Sequence, residues 1–180
     1  MRKILFTGLI AIVMLSSCGT TNGVAKSKRF AQMYEEKPIA ILVMPPINRS
    51  TKVEAKELFY SSLVVPITQR GYYVMPPLLT MEILKEESAY DAEMFVNSSM
   101  IQVGNLFGVD AVLFTTIHEW SKTTIASQIR IVVEYTLKSA HTDEILFTRK
   151  GDIVYSPNTN TGNAIGNLVA NMLTRLLQKR

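Results

Sequence analysis

The chain carries few groups that do chemistry: one cysteine, Cys18, and two histidines, His118 and His141, among 180 residues. One thiol cannot close an intramolecular disulfide, and it falls short of a cysteine-rich zinc site or an iron–sulfur cluster. His118-Glu119 starts like a zinc-protease helix, but position 122 is Lys where that pattern needs its second histidine. A histidine at a strand end, near a sheet edge, is the simpler expectation. His141 and Asp143 belong to Ala140-His141-Thr142-Asp143, a composition that turn chemistry explains. Glu86-Glu87 with Asp91 and Glu93 could supply the two acids of glycan hydrolysis, although a solvated helix end gives the same run. No phosphate-binding loop, dinucleotide fingerprint or nucleophile elbow is present in the sequence. The expectation is a protein without catalytic residues, metal or cofactor.

The cysteine is placed for a different chemistry. Arg2 and Lys3 precede a largely apolar run over residues 4–15, followed by Leu15-Ser16-Ser17-Cys18-Gly19. Charge, a short apolar core and small residues before a cut describe a secretory signal. The run is 12 residues long, against about 20 for a bilayer-spanning helix. Leu-Ser-Ser-Cys resembles the lipobox, whose cysteine thiol is diacylglycerated before cleavage on its amino side. Acylated Cys18 would then hold the chain to membrane lipid, at about 0.8 kcal/mol per buried methylene. Gly19 stands where an inner-membrane retention signal has Asp, and no acidic run follows. Both features point to the outer membrane, with the chain facing the periplasm. Residues 1–17 are read as the signal peptide, 18–37 as the lipidated cysteine and a flexible tether, and 38–180 as one globular domain.

Dividing the chain this way reassigns its charge. The whole sequence holds 19 basic and 15 acidic residues, a net of +4, which by itself hints at nucleic acid or an anionic surface. Residues 38–174 hold 10 basic and 13 acidic residues, a net of −3. The basic groups lie at the two ends, among them Lys26, Lys28, Arg29 and Lys37 of the tether, so no nucleic-acid partner is expected. A basic tether beside a lipid anchor suits anionic head groups.

The elements that would position these groups follow from periodicity. Residues 38–44 are continuously apolar and end at Pro45-Pro46, as expected of a central strand buried on both faces. Residues 53–69 carry a helical stripe of Ala55, Leu58, Phe59, Leu63 and Ile67, with Pro66 expected to kink or end it. A short strand over 72–75 closes at Pro76-Pro77, which opens a helix to about residue 87. Another helix is expected over 100–107 with Gly108 as its stop. A long strand over 109–120 is followed by clean alternation over 125–137 and a returning strand over 144–155. A final amphipathic helix runs over 165–177, with Gly162, Gly166 and Ala170 as a stripe of small residues. The order βαβααβββα predicts an α/β or α+β sandwich on one mixed five-stranded sheet.

Ile41-Leu42-Val43-Met44-Pro45-Pro46-Ile47-Asn48-Arg49-Ser50, Gly71-Tyr72-Tyr73-Val74-Met75-Pro76 and Phe107-Gly108-Val109-Asp110-Ala111-Val112-Leu113 resemble a family of bacterial lipoproteins typified by a meningococcal vaccine candidate. The resemblance covers about residues 38–155, and Cys18 suits it. It implies a fold like the amino-terminal domain of TolB and related to the curli-secretion channel lipoprotein. It also implies an accessory role in an envelope assembly, among envelope or secretion-channel proteins and copies of itself. It transfers no catalytic residue. Asn48 and Ser50 match its first-loop motif.

In open α/β sheets, sites gather beyond the carboxyl ends of parallel strands. Those ends deliver Asn48, Arg49 and Ser50, the Pro76-Pro77 corner, and Glu119-Trp120. An exposed Trp120 near Arg49 would be a partner-binding pair; Trp120 packed on an adjacent helix is the other reading. A periplasmic module binding a ligand or peptide is the alternative, and a peptidoglycan-active enzyme stands behind both.

Overall fold

In the computed structural model the described residues are 26–86, 92–123 and 128–155. The signal peptide, Cys18, the start of the tether, and the carboxyl-terminal helix with its small-residue stripe lie outside them. So do Glu87 and Asp91.

The elements run α1 (Lys26–Arg29), α2 (Ala31–Glu36), β1 (Ala40–Val43), β2 (Ile47–Asn48), α3 (Ala55–Thr68), β3 (Tyr73–Val74), α4 (Pro77–Glu86), α5 (Ala92–Val96), α6 (Ile101–Phe107), β4 (Ala111–Thr123), β5 (Gln128–Ser139) and β6 (Ile145–Tyr155). One mixed sheet has the order β3-β1-β4-β5-β6, with β2 also paired to β4. β1 lies parallel to both β3 and β4, while β4, β5 and β6 form an antiparallel meander. The expected α+β sandwich and mixed sheet are therefore present. The sheet has six strands where five were expected. Pro45 and Pro46 have no N–H to give the ladder, and the chain re-pairs with β4 only at Ile47↔Thr116. Three helices, not two, connect β3 to β4.

Each face of the sheet covers its own core. On one, Ala55, Phe59, Leu63 and Ile67 of α3 pack on Ile41, Val43, Val133 and Tyr135. Tyr60 donates its hydroxyl to the Val43 carbonyl at 3.2 Å. On the other face, Leu84, Ala92, Met100, Val103 and Phe107 of the three connecting helices and the turn before α6 cover Leu42, Met44, Val112 and Phe114. β1 alternates between the two cores, which is why its sequence is apolar throughout. Pro66 sits inside α3, which runs on only to Thr68.

Two closures hold the parallel strands at their starting end. Gly108 caps α6 at φ 65°, a left-handed conformation that glycine adopts at little cost. Gly104 lets α6 approach the β5–β6 turn so closely that an added Cβ would lie 2.6 Å from the Cβ of Ala140.

The tether differs from expectation. Lys26–Arg29 and Ala31–Glu36 are helical, and Phe30 stacks at 4.8 Å on Phe147 of β6. Phe30 and Met33, both partly buried, pack against the α3-side core. Three apolar groups, Phe30, Met33 and Tyr34, recur at helical spacing within an otherwise polar segment.

Candidate functional site

The first-loop motif is built around Asn48. Its carboxamide oxygen accepts from the Ser50 backbone N–H at 3.0 Å and from the Ser50 hydroxyl at 2.7 Å. Its amide nitrogen donates to the Lys52 carbonyl at 2.7 Å. Ser50 in turn accepts from the Lys52 N–H at 3.3 Å. This is an Asx-type turn that carries the chain from β2 to the start of α3. Both residues of the motif thus serve the loop. Arg49 alone points outward: its guanidinium lies 3.9 Å from Glu93 of α5, with both side chains more than half exposed.

Glu119 belongs to a cross-strand ladder. Arg130 of β5 contacts Glu119 of β4 at 3.1 Å and forks onto Asp152 of β6 at 2.6 and 3.0 Å. Ser121 donates to the other Glu119 oxygen at 2.7 Å. Hydrogen bonding to Arg130 holds the Asp152 carboxyl below the usual carboxylate range, and Asp152 holds the guanidinium pKa up. Beside this ladder, His118 and Glu134 meet at 2.8 Å. Thus His118 lies within the strand, between two paired neighbours, and not at a strand end by a sheet edge.

Of the two readings of Trp120, the packed one holds. It is 8% exposed and belongs to the α3-side core with Ile117 and Ile131, so it forms no exposed pair with Arg49. The reason is a β-bulge: register shifts between Ile117, opposite Val133, and Glu119, opposite Val132. Strict alternation from Ile117 would turn Glu119 inward and Trp120 outward. One extra residue at His118 reverses both.

Two further carboxylates, Asp110 and the turn residue Asp143, bind across the fold. Asp110 accepts from the N–H groups of Ile39 at 2.9 Å and Ala40 at 2.8 Å, and faces His141 at 3.4 Å. The Ala40 hydrogen bond is the main cause that keeps its pKa low. Asp143, at φ 63° in the β5–β6 turn, accepts from the Ser99 hydroxyl at 2.6 Å and from the Met100 N–H that leads into α6. Ser99 is the main cause of its lowered pKa. Lys138, nearly buried, donates to the carbonyls of Ser98 at 2.8 Å and Val96 at 3.3 Å. These contacts span 31 to 71 residues in sequence, so no local pattern reveals them. Among the described residues no group of three His, Cys, Asp or Glu side chains is placed to hold a metal ion.

Fold and site define a class: an α+β sandwich in which Asn48, Ser50, Asp110, Asp143 and the Glu119–Arg130–Asp152 ladder serve loops, turns and strand pairing, while Arg49 faces solvent at the strand ends. The chain belongs to the GNA1162-like family, described as "Putative lipoprotein GNA1162-like", whose model matches residues 29–179. It is 30% identical over 186 aligned residues to a Neisseria meningitidis serogroup B relative named "Putative lipoprotein NMB1124/NMB1162", covering 96% of this chain and 83% of the relative. Among solved structures it is similar to lipoprotein GNA1162 from Neisseria meningitidis, with a TM-score of 0.65 at 25% identity, covering 79% of this chain and all of that one. The PelC dodecamer from Paraburkholderia phytofirmans shares the fold, with a TM-score of 0.52 at 12% identity, covering 75% and 86% of the two chains. The family description names a lipoprotein and no catalytic activity.

Proposed function

We propose that this chain is an outer-membrane lipoprotein, held by acyl groups on Cys18 and facing the periplasm. It acts as a non-catalytic accessory subunit of an envelope or secretion assembly of the curli-channel type. The observation that carries this reading is Leu15-Ser16-Ser17-Cys18 standing just ahead of a domain of a lipoprotein family. Its partners are envelope proteins and further copies of itself; a fold that also occurs in a dodecamer is compatible with self-assembly.

The partner surface lies where the parallel strands end. Asn48 and Ser50 shape that loop, Arg49 supplies an outward charge, and Glu119 borders it within the ladder. Trp120, being in the core, is replaced in this role by Val53 and Leu78, each 80% exposed at that end of the sheet. A mixed apolar and arginine surface of this kind is typical of protein contacts.

The test is recovery of crosslinked partners from intact envelopes carrying the wild type, Arg49→Glu or Leu78→Asp. The reading expects a discrete envelope protein with the wild type, and its loss from both folded variants. Recovery unchanged in both would refute this surface. Sedimentation of the protein with the inner membrane would refute the location.

A further inference from the structure

The topology gathers a second set of exposed apolar side chains at the opposite end of the sheet. There β1, β3 and β4 begin, α2 and α6 end, and the β5–β6 turn lies. Ile39 is 65% exposed, Tyr73 57%, Leu106 60% and Tyr34 40%. Their proximity follows from several contacts. Tyr73 donates its N–H to the Ile39 carbonyl at 2.9 Å, and Asp110, just past α6, donates its own to the Ala40 carbonyl at 2.9 Å. Tyr34 lies close enough to Tyr72 to help raise the latter's pKa, after burial. Exposed Lys37 stands between Tyr34 and Ile39, where the backbone turns at φ 47° from α2 into β1.

This is also the end at which the chain arrives from Cys18. Eight residue-to-residue steps lead from Cys18 to Lys26, a reach of at most about 29 Å. From Lys26 the chain is helical and docked, with Phe30 on Phe147 and Glu36 accepting from the Thr142 hydroxyl at 3.0 Å. An acyl chain on Cys18 therefore keeps this end near the bilayer. Tyrosine with aliphatic groups and flanking lysine is the composition that settles at a membrane–water interface.

We infer that the strand-start end, through Tyr34, Ile39, Tyr73 and Leu106, rests in the head-group region of the membrane. The partner surface around Arg49 is thereby directed away from it. The inference rests on the acylation of Cys18 proposed above.

Because Cys18 is the sole cysteine and acylation blocks its thiol, a second cysteine can carry an environment-sensitive fluorophore. Full-length lipidated protein with Ile39→Cys, Tyr73→Cys, Val53→Cys or Leu78→Cys is labelled and reconstituted in phosphatidylethanolamine–phosphatidylglycerol vesicles containing nitroxide lipid. Groups resting about 5–10 Å into the interface should lose about half their emission, while those at 53 and 78 keep theirs. Equal quenching at all four positions, or none at 39 and 73 in vesicle-bound protein, overturns the inference while leaving acylation intact. A blue shift at 39 and 73 that follows protein concentration and ignores nitroxide lipid overturns it in favour of a second copy. Intact mass shows separately whether Cys18 is acylated. If it is not, the same four variants carrying Cys18→Ser, added to vesicles as the unanchored full chain, still decide: quenching confined to 39 and 73 supports a lipid-seeking surface, and its absence overturns it.

Discussion

The two ends of the sheet use the same kinds of polar residue and leave different things exposed. Where the strands begin, Asp110 and Asp143 reach across 43 to 71 residues to bind N–H and hydroxyl groups of other elements. Their contacts tie the entering chain, α6 and the β5–β6 turn into one closure, and the residues left outside are Tyr34, Ile39, Tyr73 and Leu106. Where the strands end, Asn48 and Ser50 bond within five residues of themselves. They build a local loop and leave Arg49, Val53 and Leu78 outside. The difference teaches that the first end is a long-range clamp, and the second a local turn displaying exchangeable side chains. Substitutions should therefore cost most at the close approach of α6 within the clamp and least among the displayed side chains.

The largest effect is expected for Gly104→Ala. The added methyl meets the Ala140 Cβ at 2.6 Å and its carbonyl oxygen at 3.0 Å, so backbone must move. A loss of about 1–3 kcal/mol is expected from urea unfolding, with partial recovery when Ala140→Gly is added. An unchanged midpoint would mean that α6 is not held as tightly as its contacts indicate.

Next comes Asn48→Ala, which leaves the Ser50 and Lys52 backbone groups without their side-chain partner. A cost of about 1–2 kcal/mol is expected by the same measurement. Asp110→Ala removes two hydrogen bonds to a charged acceptor, but its side chain is 39% exposed. Solvent screening brings the expected loss to about 1 kcal/mol. Arg49→Ala should change stability by less than about 0.5 kcal/mol, because both it and Glu93 are more than half exposed. If Arg49→Ala costs as much as Asn48→Ala, the contrast between turn and display fails.

Acid tests the clamp in another way. Asp110 and Asp143 are both held below the ordinary 3.8, so the folded carboxylates stay ionised while those of the unfolded chain take up protons. Their stabilisation is complete above that value and is lost as pH falls from it through the depressed folded values. Thermal midpoints followed downward from pH 5 should decline more gently for Asp110→Asn/Asp143→Asn than for the wild type. Parallel curves would assign the acid response to other groups.

Much of this fold is legible in the sequence because its strands have unmistakable periods. The apolar run over 38–44 could only be an interior strand, and alternation along 125–137 marked the antiparallel strand β5. Gly108 marked the end of α6. The site was less legible, for three physical reasons. A single bulge at His118 reverses the side-chain parity beyond it, which turns Trp120 into the core. The docking of Phe30 on Phe147 depends on three apolar residues in a polar segment, too few to outweigh its composition. Asp110 and Asp143 act on backbone groups far away in sequence, and nothing local distinguishes such a carboxylate from a solvated one.

The central claim is that this family member works as a lipid-anchored protein, and the mass of its mature amino-terminus tests it most directly. Protein extracted from membranes with detergent should begin at Cys18 and carry the added mass of a diacylglyceryl group, with or without a further acyl chain. Cys18→Ala should remove that mass and release the protein from the membrane. A mature chain beginning elsewhere, or an unmodified Cys18 in membrane-bound protein, would contradict the account.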